Sequence, residues 1–180
     1  LIIKGASLPG ERLQVYFIDN EEYFKRKQYY FDDEGHPFED NNERAVFFAR
    51  GVIETIKKLN WVPDVIHLNG WMSSLIPVYL KTYYKDDSYF KDTKIVLSSY
   101  NEEDLKLNEN TKEILEFDNI SDLQSLDNPS FLNFVNDSMD YVDVIVKGNE
   151  FLEEKLEEAF AKAEAEKSDY LNADSIAKIY

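Results

Sequence analysis

The chain has 180 residues, and its 20 basic and 36 acidic side chains give a formal net charge of −16 at pH 7. This charge argues against nucleic acids and anionic membranes as partners, because binding to phosphates depends on clustered Lys and Arg side chains. The longest apolar run, Leu75 to Leu80, is far shorter than the roughly 20 residues of a membrane-spanning helix. The chain has no cysteine and only His36 and His67, so disulfides and histidine-based metal sites are excluded, and no metal site is predicted.

The N-terminal part predicts a β-hairpin followed by a long loop. Residues 1–6 and 13–19 are β-rich, and a turn sequence with Pro9 and Gly10 separates them. Segment 20–42 is charged and aromatic without a clear period. Its aromatic side chains could stack on sugar rings, although burial that ties the loop down is the more common role.

A helix over 43–59 follows, with apolar residues on one face and a capping box formed by Asp40 and Glu43. Residues 64–68 then have the composition of a short strand, and Asn69-Gly70-Trp71 predicts a turn. We expect Ser73 or Ser74 to cap a second helix that runs to about Lys85.

The remaining sequence alternates between strands and helices. It predicts strands at 94–99 and 142–147 and helices at 131–141 and 150–167, with no assignment after residue 168. This order indicates an α/β fold: a Rossmann-like, doubly wound, mostly parallel sheet with helices on both faces, in a single domain over 1–180. Ligands of such folds bind at the carboxyl ends of the strands, here segments 67–74, 98–104 and 147–151.

Few residues in these segments carry an obvious chemistry. No glycine-rich phosphate loop is present. The acidic runs 32–34 and 102–104 could hold a divalent cation or, as is usual for charge runs, form solvated surface. His67 could act as an acid or base, or be a satisfied, partly buried histidine. A tryptophan at position 71 is more typical of a core residue. Ser73 and Ser74 are more typical of helix caps.

Three ordered blocks between residues 15 and 81 have the spacing of known motifs. The first is Val15–Asn20 with Glu22–Phe24, similar to VYFLDNPEYFDR. The second contains Asp40-Asn41, Glu43-Arg44, Phe47-Phe48 and Arg50, similar to DNAERFAFFSRA. The third, residues 63–81, is similar to PDVVHxHDWHTALVPLLLK. Weaker similarities are Asn101, which matches the asparagine of a VHN motif, and residues 141–145. Together they resemble the N-terminal domain of bacterial glycogen synthases and plant starch synthases.

The resemblance implies half of a GT-B fold, in which two Rossmann-like domains meet at a cleft. It implies transfer of glucose from ADP-glucose to an α-1,4-glucan, with no cofactor or metal, in the cytoplasm. The expected partners are an α-glucan and a sugar nucleotide. The family's first strand, its lysine-containing glycine-rich loop and its C-terminal nucleotide-binding domain are expected outside this chain. We therefore expect a partner domain or a second copy to cover the exposed sheet edges, and the chain alone to be inactive.

The chain departs from the family at its polar motif residues. Gly70 stands where the motif has aspartate, Asn69 and Met72 where it has histidines, and Tyr100 where VHN has histidine. Three alternatives remain open: part of an active glucosyltransferase, an inactive glucan-binding or regulatory relative, or a structural subunit that pairs with a partner domain. No catalytic residue is assigned. The residues expected to line the site are His67, Asn69, Gly70, Trp71, Tyr100 and Asn101.

Overall fold

The computed structural model describes residues 2–171. It begins with the predicted hairpin, in which β1 (Ile2–Ser7) pairs antiparallel with β2 (Gln14–Asp19) as a separate two-stranded sheet. A short helix, α1 (Glu21–Phe24), follows. The hairpin prediction is confirmed.

The long loop after α1 is held down by a buried arginine. Arg44 donates from its Nη1 to the carbonyl oxygen of Tyr29 and to Oδ1 of Asn41, both at 2.6 Å. Its guanidinium also lies over the rings of Phe24 and Phe38, at 5.5 Å and 5.4 Å from their centroids. The loop aromatics therefore serve mainly to tie the segment down, which is the more common of the two roles considered.

The first long helix, α2 (Asn41–Lys58), is confirmed within two residues at its start and one at its end. Its buried face contains Ala45, Ala49 and Ile53. The capping box is wrong, because Asp40 makes no side-chain cap. The Asp40 carboxylate instead accepts a hydrogen bond from Arg26 at 2.7 Å, and this ion pair lies between the loop and the helix.

The main sheet is parallel, with strands in the order β3 (Val65–Asn69), β4 (Lys94–Ser99), β5 (Val144–Lys147) and β6 (Glu166–Ser168). The predicted α/β fold with a parallel sheet is confirmed. Between the strands lie α3 (Leu75–Lys81), α4 (Thr111–Phe117), α5 (Phe131–Ser138) and α6 (Glu154–Lys162), together with 3-10 turns at 71–73, 124–127 and 139–141.

The connecting helices lie on one face of this sheet. The strands follow one another in the sheet in the same order as in the chain. Right-handed crossovers between such strands all place their helices on the same side of the sheet. In agreement, α5 packs against both α3 and α6. Ile66, Leu68 and Leu97 are buried on this side. On the other side Val65, His67 and Asn69 are exposed. Helices were expected on both faces of the sheet. Among the described residues, no helix covers the second face over β3.

Several elements differ from prediction. Helix α5 ends at Ser138 rather than residue 141, where a 3-10 turn follows, and β5 begins at Val144 rather than residue 142. Helix α3 ends at Lys81 rather than Lys85, and the Tyr84 hydroxyl beyond its end donates to Glu54 on α2 at 2.7 Å. Helix α6 covers 154–162 rather than 150–167, and residues 166–168 pair with β5 as strand β6. Helix α4 lies in an acidic stretch for which no helix was predicted. In β6, pairing with a neighbouring strand overrides the helix propensity of an Ala- and Glu-rich sequence.

Among the described residues, no helix has both the length and the apolar character required to cross a membrane.

Candidate functional site

A cavity of about 390 Å³ opens at the carboxyl ends of the parallel strands. Its lining includes His67, Asn69, Ser98, Tyr100, Lys147 and Gly148. The register explains this grouping, since Asn69 lies beside Ser98 in the sheet and Ser99 lies beside Lys147. The side chains of 67, 69, 98 and 100 alternate onto the same face of the sheet, which is the face left open by the described helices.

Two hydrogen bonds join β3 to β4 within the cavity. The Nε2 atom of His67 lies 2.8 Å from Oγ of Ser98. The Tyr100 hydroxyl donates to Oδ1 of Asn69 at 3.0 Å. Both Asn69 and Tyr100 contribute to the cavity wall. The cavity thus offers an aromatic ring beside amide, hydroxyl and imidazole groups, a combination suited to a neutral, hydroxyl-rich ligand.

Gly148 allows the Tyr100 ring to occupy its position. A Cβ atom on residue 148 would lie 2.5 Å from Cε1 of Tyr100 and 2.8 Å from the carbonyl oxygen of Ser99. The Gly148 amide also donates to the same carbonyl oxygen at 2.7 Å. Only glycine lets the β5 end approach the β4 end this closely.

Among the described residues of the cavity wall, Lys147 is the basic side chain, and its charge is already balanced. Its Nζ atom donates to Glu157 at 2.8 Å and lies 4.9 Å from the centroid of the Phe160 ring. The side chain is 15% exposed. A phosphate group here would have to compete with the α6 carboxylate for this ammonium.

Asn101 and Trp71 serve the framework rather than the cavity wall. The Asn101 side chain donates to the carbonyl oxygen of Phe151 and accepts from the Glu153 amide, so it joins the ends of β4 and β5. The Trp71 side chain is 1% exposed and stacks on Phe131 with ring centroids 3.4 Å apart. The Trp71 side chain thus lies in the core, which is the alternative role considered for it, and it is not among the residues of the cavity wall.

The turn at Gly70 brings a carboxylate to this edge of the sheet. Gly70 has a φ of 74°, and a Cβ atom on it would lie 3.3 Å from Oε1 of Glu102. The Oε2 atom of Glu102 accepts a hydrogen bond from the Trp71 amide at 2.9 Å. Burial raises the pKa of the Glu102 carboxyl, and this hydrogen bond lowers it only in part. The sequence marked Glu102 only as a member of an acidic run at the expected ligand edge.

The serines expected as helix caps have other roles. The Ser73 hydroxyl donates to the carbonyl oxygens of Asn69 and Gly70, at 3.1 Å and 2.9 Å, and so stabilises the turn between β3 and α3. Ser74 precedes α3 but makes no side-chain cap. The cap prediction is therefore wrong for both residues.

The other acidic run, at 32–34, forms a loop. The Oδ1 atom of Asp32 accepts from the amides of Glu34 and His36, at 2.9 Å and 2.8 Å. Across residues 2–171, no group of three or more histidine and carboxylate side chains is arranged to hold a metal ion.

A second cavity of about 500 Å³ lies away from the sheet, between α1, α2 and α4. Tyr23, Phe47, Arg50 and Glu54 contribute to its wall. The Tyr23 hydroxyl donates to Glu43 at 3.0 Å, while Arg50 is paired with the buried carboxylate of Asp118 at 3.1 Å. Sequence reasoning did not identify this cavity, because its wall is assembled from three separate segments.

The chain matches the family model described as the starch synthase catalytic domain over residues 2–165. The chain belongs to this family. It is 44% identical over 102 residues to a glycogen synthase of Chlorobium luteolum, covering 56% of this chain and 21% of that protein. A glycogen synthase of Thermotoga petrophila is 39% identical over 99 residues, covering 55% of this chain and 19% of that protein. The chain thus spans about a fifth of the length of these relatives.

The fold resembles a solved structure from the same family. The catalytic domain of starch synthase IV from Arabidopsis thaliana, bound to ADP and acarbose, has a TM-score of 0.58 and 18% sequence identity. The match covers 80% of this chain and 29% of that one. It supports the α/β architecture of a GT-B starch synthase domain, and the family as a whole is one of glucosyl transfer.

Proposed function

We propose that this chain forms the acceptor side of a glucosyl-transfer site and binds an α-1,4-glucan at the carboxyl ends of β3, β4 and β5. The observation that carries the proposal is the cavity in which Asn69 and Tyr100 meet. A glucan is neutral and presents both hydroxyl groups and apolar ring faces. Hydrogen-bonding side chains beside an aromatic ring recognise both features.

The charge of the chain favours a glucan over an anionic ligand. With a formal net charge of −16 the protein repels anions, and the ammonium of Lys147 is already paired with Glu157. We propose that the donor of the complete protein is ADP-glucose, in line with the ADP-bound relative. Its phosphates would require groups beyond those seen in this cavity. We further propose a cytoplasmic location and no cofactor, nucleic acid or membrane partner.

A second candidate function is glucan binding without transfer. Gly70 and Tyr100 favour it, since they supply neither the carboxylate nor the imidazole of the motifs that this sequence resembles. The two functions share the glucan site and differ in turnover. Incorporation of glucose from ADP-glucose into glycogen by the complete gene product supports transfer, and binding without incorporation supports the second candidate.

Calorimetric titration with maltohexaose tests the glucan site. We expect the chain to bind maltohexaose, and Tyr100→Ala to weaken binding about 10-fold because an aromatic contact and the bond to Asn69 are both lost. Tyr29→Ala is the matched control, since that side chain is 80% exposed and is not among the residues of the cavity wall. An unmodified chain that does not bind maltohexaose contradicts the proposal, as does an equal loss in both variants.

A further inference from the structure

The carboxylate of Glu102 lies where a side chain on residue 70 would begin. A Cβ atom on Gly70 would be 3.3 Å from Oε1 and 3.6 Å from Oε2 of Glu102. At these distances, a side chain longer than a methyl group at position 70 would displace the carboxylate of Glu102. The end of β4 thus delivers a carboxylate to the end of β3, at the position where the motif resembled by residues 63–81 has an aspartate.

Glu102 is not part of a structural ion pair. Within the described part of the chain, its pKa is influenced by burial and by the Trp71 amide, with no cation contributing. One carboxylate oxygen accepts from the Trp71 amide, and Oε1 has no hydrogen-bond partner among the described residues. A partly buried carboxylate without a cation is costly for a fold to keep. Such uncompensated groups are concentrated at sites that contact ligands.

The neighbours of Glu102 in sequence behave differently. Glu103 and Asp104 are exposed, and Asp104 accepts a hydrogen bond from the Leu132 amide at 3.1 Å. Glu102 alone is partly buried, and its carboxylate lies at the turn residue Gly70, directly after Asn69, whose side chain is bonded to Tyr100. This single carboxylate, rather than the acidic run, borders the strand-end site, the cavity lined by His67, Asn69, Ser98, Tyr100, Lys147 and Gly148.

We infer that Glu102 is a ligand-contacting residue of the strand-end site, whose free carboxylate oxygen accepts hydrogen bonds from the hydroxyl groups of a bound glucosyl unit. This inference rests on the proposed function. A carboxylate accepts from neutral hydroxyls and repels phosphate. The position next to Gly70 is therefore suited to the glucan and unsuited to the diphosphate of a sugar nucleotide.

The test is calorimetric titration of maltohexaose into Glu102→Gln and Glu103→Gln. Glutamine keeps the size of the side chain and an oxygen that can accept from the Trp71 amide, but it removes the charge. We expect the Glu102 variant to bind about 10-fold more weakly, which is typical for loss of a charged hydrogen-bond acceptor. The Glu103 variant carries the same change of charge on an exposed side chain, and its affinity should stay within about 2-fold of the unmodified chain.

Urea unfolding at pH 7 separates ligand contact from a structural role. Because burial raises the pKa of Glu102, its charged form costs stability at this pH, and removing the charge should leave the chain at least as stable. Weaker binding with undiminished stability supports the inference. Unchanged affinity in Glu102→Gln, or a parallel loss of stability and affinity, overturns it. Failure of the unmodified chain to bind maltohexaose overturns the proposed function and this inference together.

Discussion

At the scale of single residues, the strand-end site depends on two glycines, Gly70 and Gly148. Backbone conformation requires glycine at the first position, and steric contact requires it at the second. Gly70 has a φ of 74° and a ψ of 166°, a backbone conformation that essentially only glycine adopts. Gly148 lies under the ring of Tyr100, where steric contact alone excludes a side chain. Both glycines were visible in the sequence, but only Gly70 was assigned to the site, because the partner of Gly148 lies 48 positions earlier in the chain.

Gly148→Ala tests the contact with Tyr100. The added methyl group must displace the tyrosine ring or the Ser99 carbonyl, so we expect a loss of about 1–3 kcal/mol in the free energy of unfolding, the usual cost of overpacking. Urea unfolding measures it.

Combining Gly148→Ala with Tyr100→Ala provides the control. Removing the ring relieves one of the two contacts, so the double variant should lose less than the sum of the two single changes. Additive losses would show that the ring is not what excludes a side chain at residue 148.

At the scale of secondary-structure elements, ion pairs connect helices to the segments that lead into strands. Lys57, in the last turn of α2, lies 2.8 Å from Asp87, in the connection between α3 and β4. Asp87 also accepts from the Tyr89 amide at 3.0 Å. The hydrogen bond from Lys57 lowers the pKa of Asp87, with the Tyr89 amide acting in the same direction and burial opposing them. This pair holds the connection that delivers β4 to the sheet.

Asp87→Asn is expected to lower the free energy of unfolding by about 1 kcal/mol at pH 7. Since the folded-state pKa of Asp87 is lowered, its contribution is complete above the unfolded value of about 3.9 and is lost as the pH falls through the folded value. The difference between the variant and the unmodified chain should therefore shrink below about pH 4.

Asp33→Asn is the matched control for the Asp87 experiment, because the ion pair of Asp33 with Lys27 joins two side chains that are 68% and 84% exposed. We expect no measurable change in stability from it. A pH-independent loss in Asp87→Asn would mean that packing, and not charge, accounts for its effect.

At the scale of the whole molecule, the sheet has one face covered by helices and one face partly open. On the open side Val65 is 54% exposed, and Trp61 and Val62, which precede β3 in the sequence, are 54% and 62% exposed. Exposed apolar side chains at and before an edge strand are typical of a surface that another domain or subunit covers. We propose that a partner domain or a second copy packs at β3, which forms one edge of the sheet, since cover of the exposed sheet edges is expected.

Sedimentation of the chain at low and high salt tests self-association. A net charge of −16 opposes contact between copies, and salt screens this repulsion, so a dimer should be favoured at high ionic strength. Val65→Asp should suppress the dimer without loss of stability, because its side chain is largely exposed in the single chain. A monomer under both conditions contradicts self-association and leaves a partner domain as the remaining form of the proposal.

The sequence by itself determined the α/β class, the three principal parallel strands, helix α2 and the family, because these depend on local hydrophobic patterns and on ordered motifs. It also predicted that His67, Asn69 and Tyr100 lie at one edge of the sheet, and the structure brings these three into one cavity. Tertiary structure decided the features that depend on contacts between residues far apart in the sequence. Strand β6 forms only because β5 lies beside it, and Trp71 is core because Phe131 stacks on it. Glu102 reaches Gly70 across 32 positions, since parallel pairing brings the ends of β3 and β4 together.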